Sequence, residues 1–153
     1  MSKVPVRFCR QHASAQVPVY MSEGAAGCDV FACVEAPITI APGARYAIPT
    51  GLSVEIPSGY EIQVRPRSGL ALKKGLTVVN APGTIDSDYR GEVKILVINL
   101  GQEPVEVVHG DRVAQFVVQR VEQIEWIAQE ALSETARGVG GFGSTGVTQA
   151  QPT

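Results

Sequence analysis

The stretch Leu52-Ser53-Val54-Glu55-Ile56-Pro57-Ser58-Gly59-Tyr60-Glu61-Ile62-Gln63-Val64-Arg65 decides the fold class. Ser53–Ile56 and Glu61–Arg65 alternate polar and apolar residues with the period of two that a half-buried strand needs. Pro57, Ser58 and Gly59 between them are turn formers. Outward from this pair the pattern repeats: Ile38–Ile40 and Ala44–Pro49 come before it, and Leu76–Val79, Glu92–Leu100, Val105–Val108 and Val113–Val121 after it, with Pro and Gly between. Inside Glu92–Leu100, Lys94–Ile98 turns into a continuous apolar run, the pattern of a strand covered on both faces. Nothing before Ser68 shows helical periodicity. Ser68–Lys73 is expected to make one or two helical turns with Ser68 as N-cap, since Leu70, Ala71 and Leu72 are good helix formers. Many short strands with turn signals predict an all-β fold, a sandwich or barrel of the jelly-roll type, with one short helix.

Composition bounds the rest. At 153 residues the chain makes one domain that can bury a core without disulfides. A net charge of −2 gives no electrostatic footprint for nucleic acid. Cys9, Cys28 and Cys33 are odd in number and lack metal-ligand spacing, so they are expected to be small buried hydrophobes in a reducing compartment. The start, Met1–Pro5, has no apolar leader region, and no run approaches membrane-spanning length. A cytoplasmic protein with no membrane partner fits these features. From Ser133 to Thr153 the large apolar residues are Phe142, Val139 and Val147 among Gly, Ser, Thr and Gln. That composition cannot build a core, so residues 1–132 are expected to form the β domain and 133–153 a flexible tail.

Three segments carry ligand chemistry. Asn80-Ala81-Pro82-Gly83-Thr84-Ile85-Asp86-Ser87-Asp88-Tyr89-Arg90-Gly91 reads as a tight hairpin, able to present an amide, a carboxylate and an aromatic ring to one small ligand. An isolated Asp in such a turn more often caps it. Arg65-Pro66-Arg67-Ser68-Gly69 ends a strand and opens the short helix, a place suited to phosphate. In the tail, Gly138-Val139-Gly140-Gly141-Phe142-Gly143 matches the dinucleotide pattern GxGxxG by letter only, because no strand precedes it and no helix follows. The P-loop is excluded too, as no Lys stands before Ser144-Thr145. Arg137 with the Gly-rich backbone and these two hydroxyls still makes a workable anion clamp, and Phe142 is suited to stack on a base. Asp29 reads equally as a buried turn acid or a metal-site acid. Gln115, inside an apolar strand, needs a hydrogen-bond partner. His12 and His109 read as surface or turn residues, and Trp126 as a packing residue. From the residues alone, this is a nucleotide site containing an acid.

Five ordered motifs then carry a resemblance: Ala26–Val30, Pro66–Ala71, Gly83–Gly91, Gly110–Gln115 and Arg137–Gly146. Across nearly its whole length the chain resembles the homotrimeric dUTPase family. That resemblance implies a distorted jelly-roll or β-barrel subunit of the β-clip type with about eight strands. It implies a three-fold trimer with active sites shared between subunits. It also implies Mg²⁺-dependent cleavage of dUTP to dUMP and pyrophosphate, which keeps uracil out of DNA and supplies dUMP for thymidylate. By position, Asp86 is similar to the acid that activates the attacking water and Asn80 to the amide that reads uracil. The backbone of Gly83, Thr84 and Ile85 would line the nucleoside. Tyr89 would lie under the deoxyribose and leave no room for a 2′-hydroxyl. Arg67, Ser68 and Gly69 would hold phosphates, assisted by Gln115 and Arg137. Phe142 would close over the uracil while Gly143, Ser144 and Thr145 wrap the phosphates. Asp29 is similar to the acid near the metal, which it would contact through water. Lys94 stands where some relatives also touch substrate.

The sibling to exclude is dCTP deaminase, which shares the fold and the Ile-Asp hairpin. Its helix carries a second Arg where Leu70–Lys74 has none, and its catalytic Glu would fall near Leu96, in a run without acids. A non-catalytic nucleotide sensor on the same fold would be expected to have lost Asp86, Tyr89 or the tail motif, and all are present.

Overall fold

The structure is a computed structural model that describes residues 3–144 and 146. Among these, ten strands and one helix follow in order. They are β1 (Arg7–Arg10), β2 (Cys28–Phe31), β3 (Ile38–Ile40), β4 (Arg45–Glu55), β5 (Tyr60–Arg65), α1 (Ser68–Lys74), β6 (Leu76–Val78), β7 (Gly83–Ile85), β8 (Glu92–Asn99), β9 (Val105–Val107) and β10 (Arg112–Arg120). All pairings are antiparallel. One sheet runs β1-β4-β8-β6, a second β2-β10-β5-β7, and β3 pairs with β9 as a ribbon. The inward residues of all three meet in one core: Ile48, Ile95 and Val97 from the first sheet, Val30, Val64 and Phe116 from the second, Ile40 and Val107 from the ribbon. Each such side chain contributes about 1.5–3 kcal/mol relative to exposure. The chain is all-β, of the jelly-roll type.

Ala44–Pro49 and Leu52–Pro57, expected as separate strands, are one strand, β4. Its pairing with β8 shifts register between Pro49 and Ser53. Thr50 makes this possible: its buried hydroxyl donates to Val93 O at 2.6 Å and accepts from Leu52 N at 3.2 Å. Gly51 takes φ +67, and a Cβ there would stand 2.8 Å from Ala15 Cβ and 2.9 Å from Cys33 Sγ. Asn99 ties the ribbon to the first sheet, donating to Ile40 O at 2.9 Å and Glu103 O at 2.8 Å.

Other expectations are corrected. β8 is buried on one face only: Ile95 and Val97 are inside, whereas Lys94 and Leu96 are exposed. The apolar run concealed an ordinary alternation, with Leu96 at an outward position. The cap of α1 is Arg67, in extended conformation with no side-chain cap bond, and Ser68 is the first helical residue. The Arg67 carbonyl accepts the first helical bond, from Ala71 N at 3.1 Å. Gly75, at φ +68, ends the helix. Of the cysteines only Cys33 is buried, while Cys28 is half-buried and Cys9 exposed. β1 and β2 carried no strand signal, being short and lacking clean alternation. The family resemblance implied about eight strands, fewer than are present.

Two compact units divide the chain, the first ending at Glu122 and the second starting at Gln123. All the strands and the helix belong to the first. Trp126, expected to pack in a core, lies in the second unit and is exposed. From Thr135 the second unit forms successive turns: Gly138 N donates to Thr135 O, Gly140 N to Arg137 O, Ser144 N to Gly141 O and Gly146 N to Gly143 O, at 2.8–3.1 Å. Among the described residues no helix is long and apolar enough to cross a membrane.

Candidate functional site

The tight hairpin expected at Asn80–Gly91 is instead a long connection between β6 and β8, which pair with each other, and its strand β7 crosses to the other sheet against β5. Strand β7 pairs with it in the register Val64↔Gly83, Gln63↔Thr84 and Ile62↔Ile85. Ile85 is thereby buried and Thr84 turned outward. Gly83 is buried, and a Cβ there would press on Val64 Cβ at 3.1 Å and on Asn80 Nδ2 at 3.2 Å. Beyond Ile85 the chain turns, with Tyr89 N donating to Asp86 O at 3.2 Å. The Tyr89 hydroxyl donates to Glu92 O at 2.9 Å, which folds the ring back over the start of β8. An open pocket of about 230 Å³ results. Asn80, Gly83, Thr84, Ile85, Asp86, Tyr89 and Lys94 all line it. Val64, Val93 and Leu96 complete its wall. These three apolar residues were not singled out from sequence; Leu96 and Lys94 arrive together because both point outward from β8.

A second cluster forms where β2, β5 and β10 run side by side. Gln115 pairs with Asp29 on one side and Arg65 on the other. Its Nε2 donates to Pro66 O at 2.9 Å, which satisfies the expected need for a partner. Gly27 permits this position, since a Cβ there would collide with the Gln115 carboxamide. Asp29 is buried and takes two guanidinium bonds. Arg67 Nε donates to Oδ1 and Arg112 Nη1 to Oδ2, each at 3.1 Å. Arg67 Nη1 also donates to Arg112 O at 3.1 Å. Arg67 is thus held in a fixed orientation just before Ser68 and Gly69, and it lines a groove of about 220 Å³ together with Arg112. Arg112 had no assigned role from its sequence. Only the β2–β10 pairing brings it to Asp29, 83 residues away.

Beside this cluster, burial raises the Cys28 thiol above its usual pKa. Burial, then the neighbouring Cys28, raises the Tyr20 phenol.

The two clusters share no lining residue. The expected tail residues lie in the second unit. Arg137 Nε there donates to Gly140 O at 2.8 Å, and Phe142 is fully exposed at φ +50. Gly143 and Ser144 lie in the turns that follow. Thr145 falls outside the described residues.

For a divalent cation the donor chemistry is specific. No group of three His, Cys, Asp or Glu gathers among the described residues. Mg²⁺ keeps several waters and is commonly held by substrate phosphates with one or two carboxylates. Asp29, the acid expected to meet such a metal through water, has both carboxylate oxygens bonded to the guanidiniums of Arg67 and Arg112.

Comparison with known proteins adds a decisive finding: the dUTPase family model matches residues 13–146. The chain belongs to the dUTPase family. It is 59% identical over 138 residues to the deoxyuridine 5′-triphosphate nucleotidohydrolase of Desulfotalea psychrophila, covering 90% of this chain and 92% of that protein. It is 56% identical over 155 residues to the enzyme of the same name from Caulobacter vibrioides, covering 96% and 100%. Among solved dUTPase structures, that of Staphylococcus bacteriophage 80alpha with dUPNHPP superposes with a TM-score of 0.85 at 24% identity, over 94% of this chain and 99% of that one. A mutant dUTPase of phage phi11 of S. aureus, described with a structural Mg(II) ion, gives 0.75 at 22% identity, over 83% and 97%. At that identity the likeness is one of fold.

Proposed function

We propose that this dUTPase-family chain hydrolyses dUTP to dUMP and pyrophosphate in the pocket beside β7. The observation that carries the reading is that pocket itself. One wall joins an amide, a carboxylate, an aromatic ring and strand backbone, the set a pyrimidine deoxynucleoside with a nearby phosphate requires.

Asn80 and the backbone of Gly83, Thr84 and Ile85 would pair with the uracil edge, and Tyr89 would lie against the sugar. Arg67, Ser68, Gly69 and Gln115 would hold phosphate oxygens, with Lys94 a further contact. Arg67 is pre-oriented by Asp29 and the Arg112 carbonyl, so its remaining N–H donors need little ordering on binding. Asp86, exposed and facing the pocket, would accept a proton from water as the water oxygen bonds to the α-phosphorus. The bond from that phosphorus to the bridging oxygen breaks, and pyrophosphate leaves. When bound, Mg²⁺ supplies charge stabilisation on the phosphate oxygens. Arg137, Phe142, Gly143, Ser144 and Thr145 would close over substrate and exclude water.

We further infer a homotrimer whose sites combine subunits. Two facts support it: the β7 pocket and the Arg67 groove have separate linings in one chain, and the Gly-rich sequence of residues 133–153 carries ligand chemistry with too few apolar residues to build a core. The three free thiols fit a reducing, cytoplasmic setting.

The test is pyrophosphate release from dUTP, dCTP, dTTP and UTP at equal concentration, with and without Mg²⁺. Turnover of dUTP should exceed that of dCTP by about 10⁴-fold, because cytosine leaves buried polar groups unpaired. Comparable turnover of dCTP or UTP would refute the assignment.

A further inference from the structure

Gly91 has an ordinary backbone conformation, so nothing in its φ requires glycine. What forbids a side chain is Tyr89. A Cβ on residue 91 would stand 2.7 Å from Tyr89 Cζ and 3.0 Å from Cε2, with the hydroxyl oxygen closer still. The same hydroxyl is bonded to the carbonyl of Glu92 at 2.9 Å. Glu92 is itself fixed, since its carboxylate accepts from Gly51 N at 3.1 Å. The ring is therefore seated on a bare α-carbon and pinned at its tip. Yet 46% of Tyr89 stays exposed, on the side that lines the pocket with Asn80 and Asp86.

We propose that Gly91 is a specificity-positioning residue: its missing side chain, together with the Glu92 carbonyl, sets the height of the Tyr89 ring and so the room left at the sugar's C2′. The inference rests on the proposed binding of a deoxynucleotide in this pocket. A methyl at residue 91 needs the ring to retreat from 2.7 Å to the 3.4 Å or more of ordinary contact. That retreat drags the hydroxyl off Glu92 O. The obstructing atoms are the far end of a side chain, so the ring moves while the backbone keeps its course.

The experiment compares kcat/KM for dUTP, UTP and dCTP in the full-length wild type, Gly91→Ala, Tyr89→Phe and a control, Gly24→Ala, where a Cβ meets nothing within 4 Å. Thermal melts accompany each. Gly91→Ala should change the dUTP/UTP ratio about 10-fold or more, as ångström misplacements in a site do. It should leave the dUTP/dCTP ratio and the melting temperature close to wild type. Tyr89→Phe, which removes the pin without a clash, should change the dUTP/UTP ratio less. Gly24→Ala should change nothing. A folded Gly91→Ala protein with an unchanged dUTP/UTP ratio overturns the proposal, as does a parallel collapse of both ratios. If Gly91→Ala does not fold, an unchanged ratio in Tyr89→Phe overturns it, and a changed one supports it. A wild type that does not prefer dUTP would overturn the functional reading instead.

Discussion

Asp29→Asn separates two roles for the acid of β2. The Asp29 side chain is 12% exposed, and those of its partners Arg67 and Arg112 are 27% and 41% exposed. Asparagine keeps one acceptor oxygen, but its NH₂ would face a guanidinium, and the charge is lost. A hydrogen bond to a charged group contributes about 1.5–3 kcal/mol, and the shielded Arg67 bond belongs in that range. The Arg112 bond, more open to water, contributes about 1 kcal/mol or less. Together they give about 3 kcal/mol, near the low end of the cost of breaking a fully buried pair. For a chain of this size each kcal/mol moves the melting temperature by about 2–4 °C. Without metal or nucleotide, and at fixed protein concentration, Asp29→Asn should therefore melt about 6–12 °C below wild type. The deficit should persist at high salt, since partly buried pairs are screened weakly. Its kcat/KM for dUTP should fall as well, because Arg67 loses its anchor. An acid that served only metal-bound water would leave the metal-free melt unchanged and raise the Mg²⁺ requirement alone. A metal-free melting temperature within 2 °C of wild type would refute the ion-pair argument.

Asp86→Asn should bind dUTP and melt normally while losing about 10²–10⁴-fold in turnover, the range for removal of a general base; early melting or lost binding would make Asp86 structural. A subunit truncated after Ser133, mixed by co-refolding with full-length Asp86→Asn subunits, should regain activity that neither parent has, if the tail serves a neighbouring subunit; a mixture no more active than its parents, with exchange confirmed by mass, decides against sharing. Burial keeps Cys28 protonated in the folded state, so its stabilisation is complete below about pH 8.5, the usual thiol value, and is lost as pH rises through the raised folded value. Melting temperature should thus decline more steeply from pH 8 to 10 in wild type than in Cys28→Ala, and parallel slopes would refute this.

Much of the fold was legible in the chain. Alternation is a local property, and Ser53–Ile56 and Glu61–Arg65 carried it plainly enough to give strands, an outward face and an all-β class. The residues of the β7 pocket were legible because they are close in sequence, although the tight hairpin expected there is a longer connection that crosses to β5. Asn80, Gly83, Thr84, Ile85, Asp86 and Tyr89 lie within one short stretch, so the turn that makes them neighbours is encoded where they stand. Sequence misled where the signal was composition without geometry. The apolar run at Lys94–Ile98 hid an alternating strand, and Ser68 looked like a cap because it precedes helix formers. Gly51 concealed a bulge between what looked like two strands.

Tertiary structure decided the rest, because the partners are far apart in sequence. Asp29 meets Arg67 and Arg112 only once β2, β5 and β10 are in register. A carboxylate between two guanidiniums is a different chemical group from a carboxylate in a turn, and no local pattern distinguishes them. Leu96 becomes a pocket wall only when β7 and β8 come together beside it. Gly91 shows the same limit within two residues. Its spacing from Tyr89 was readable, but the reason for glycine was not, since it lies in where the tyrosine ring comes to rest, on a Glu92 carbonyl whose residue is held in turn by distant Gly51.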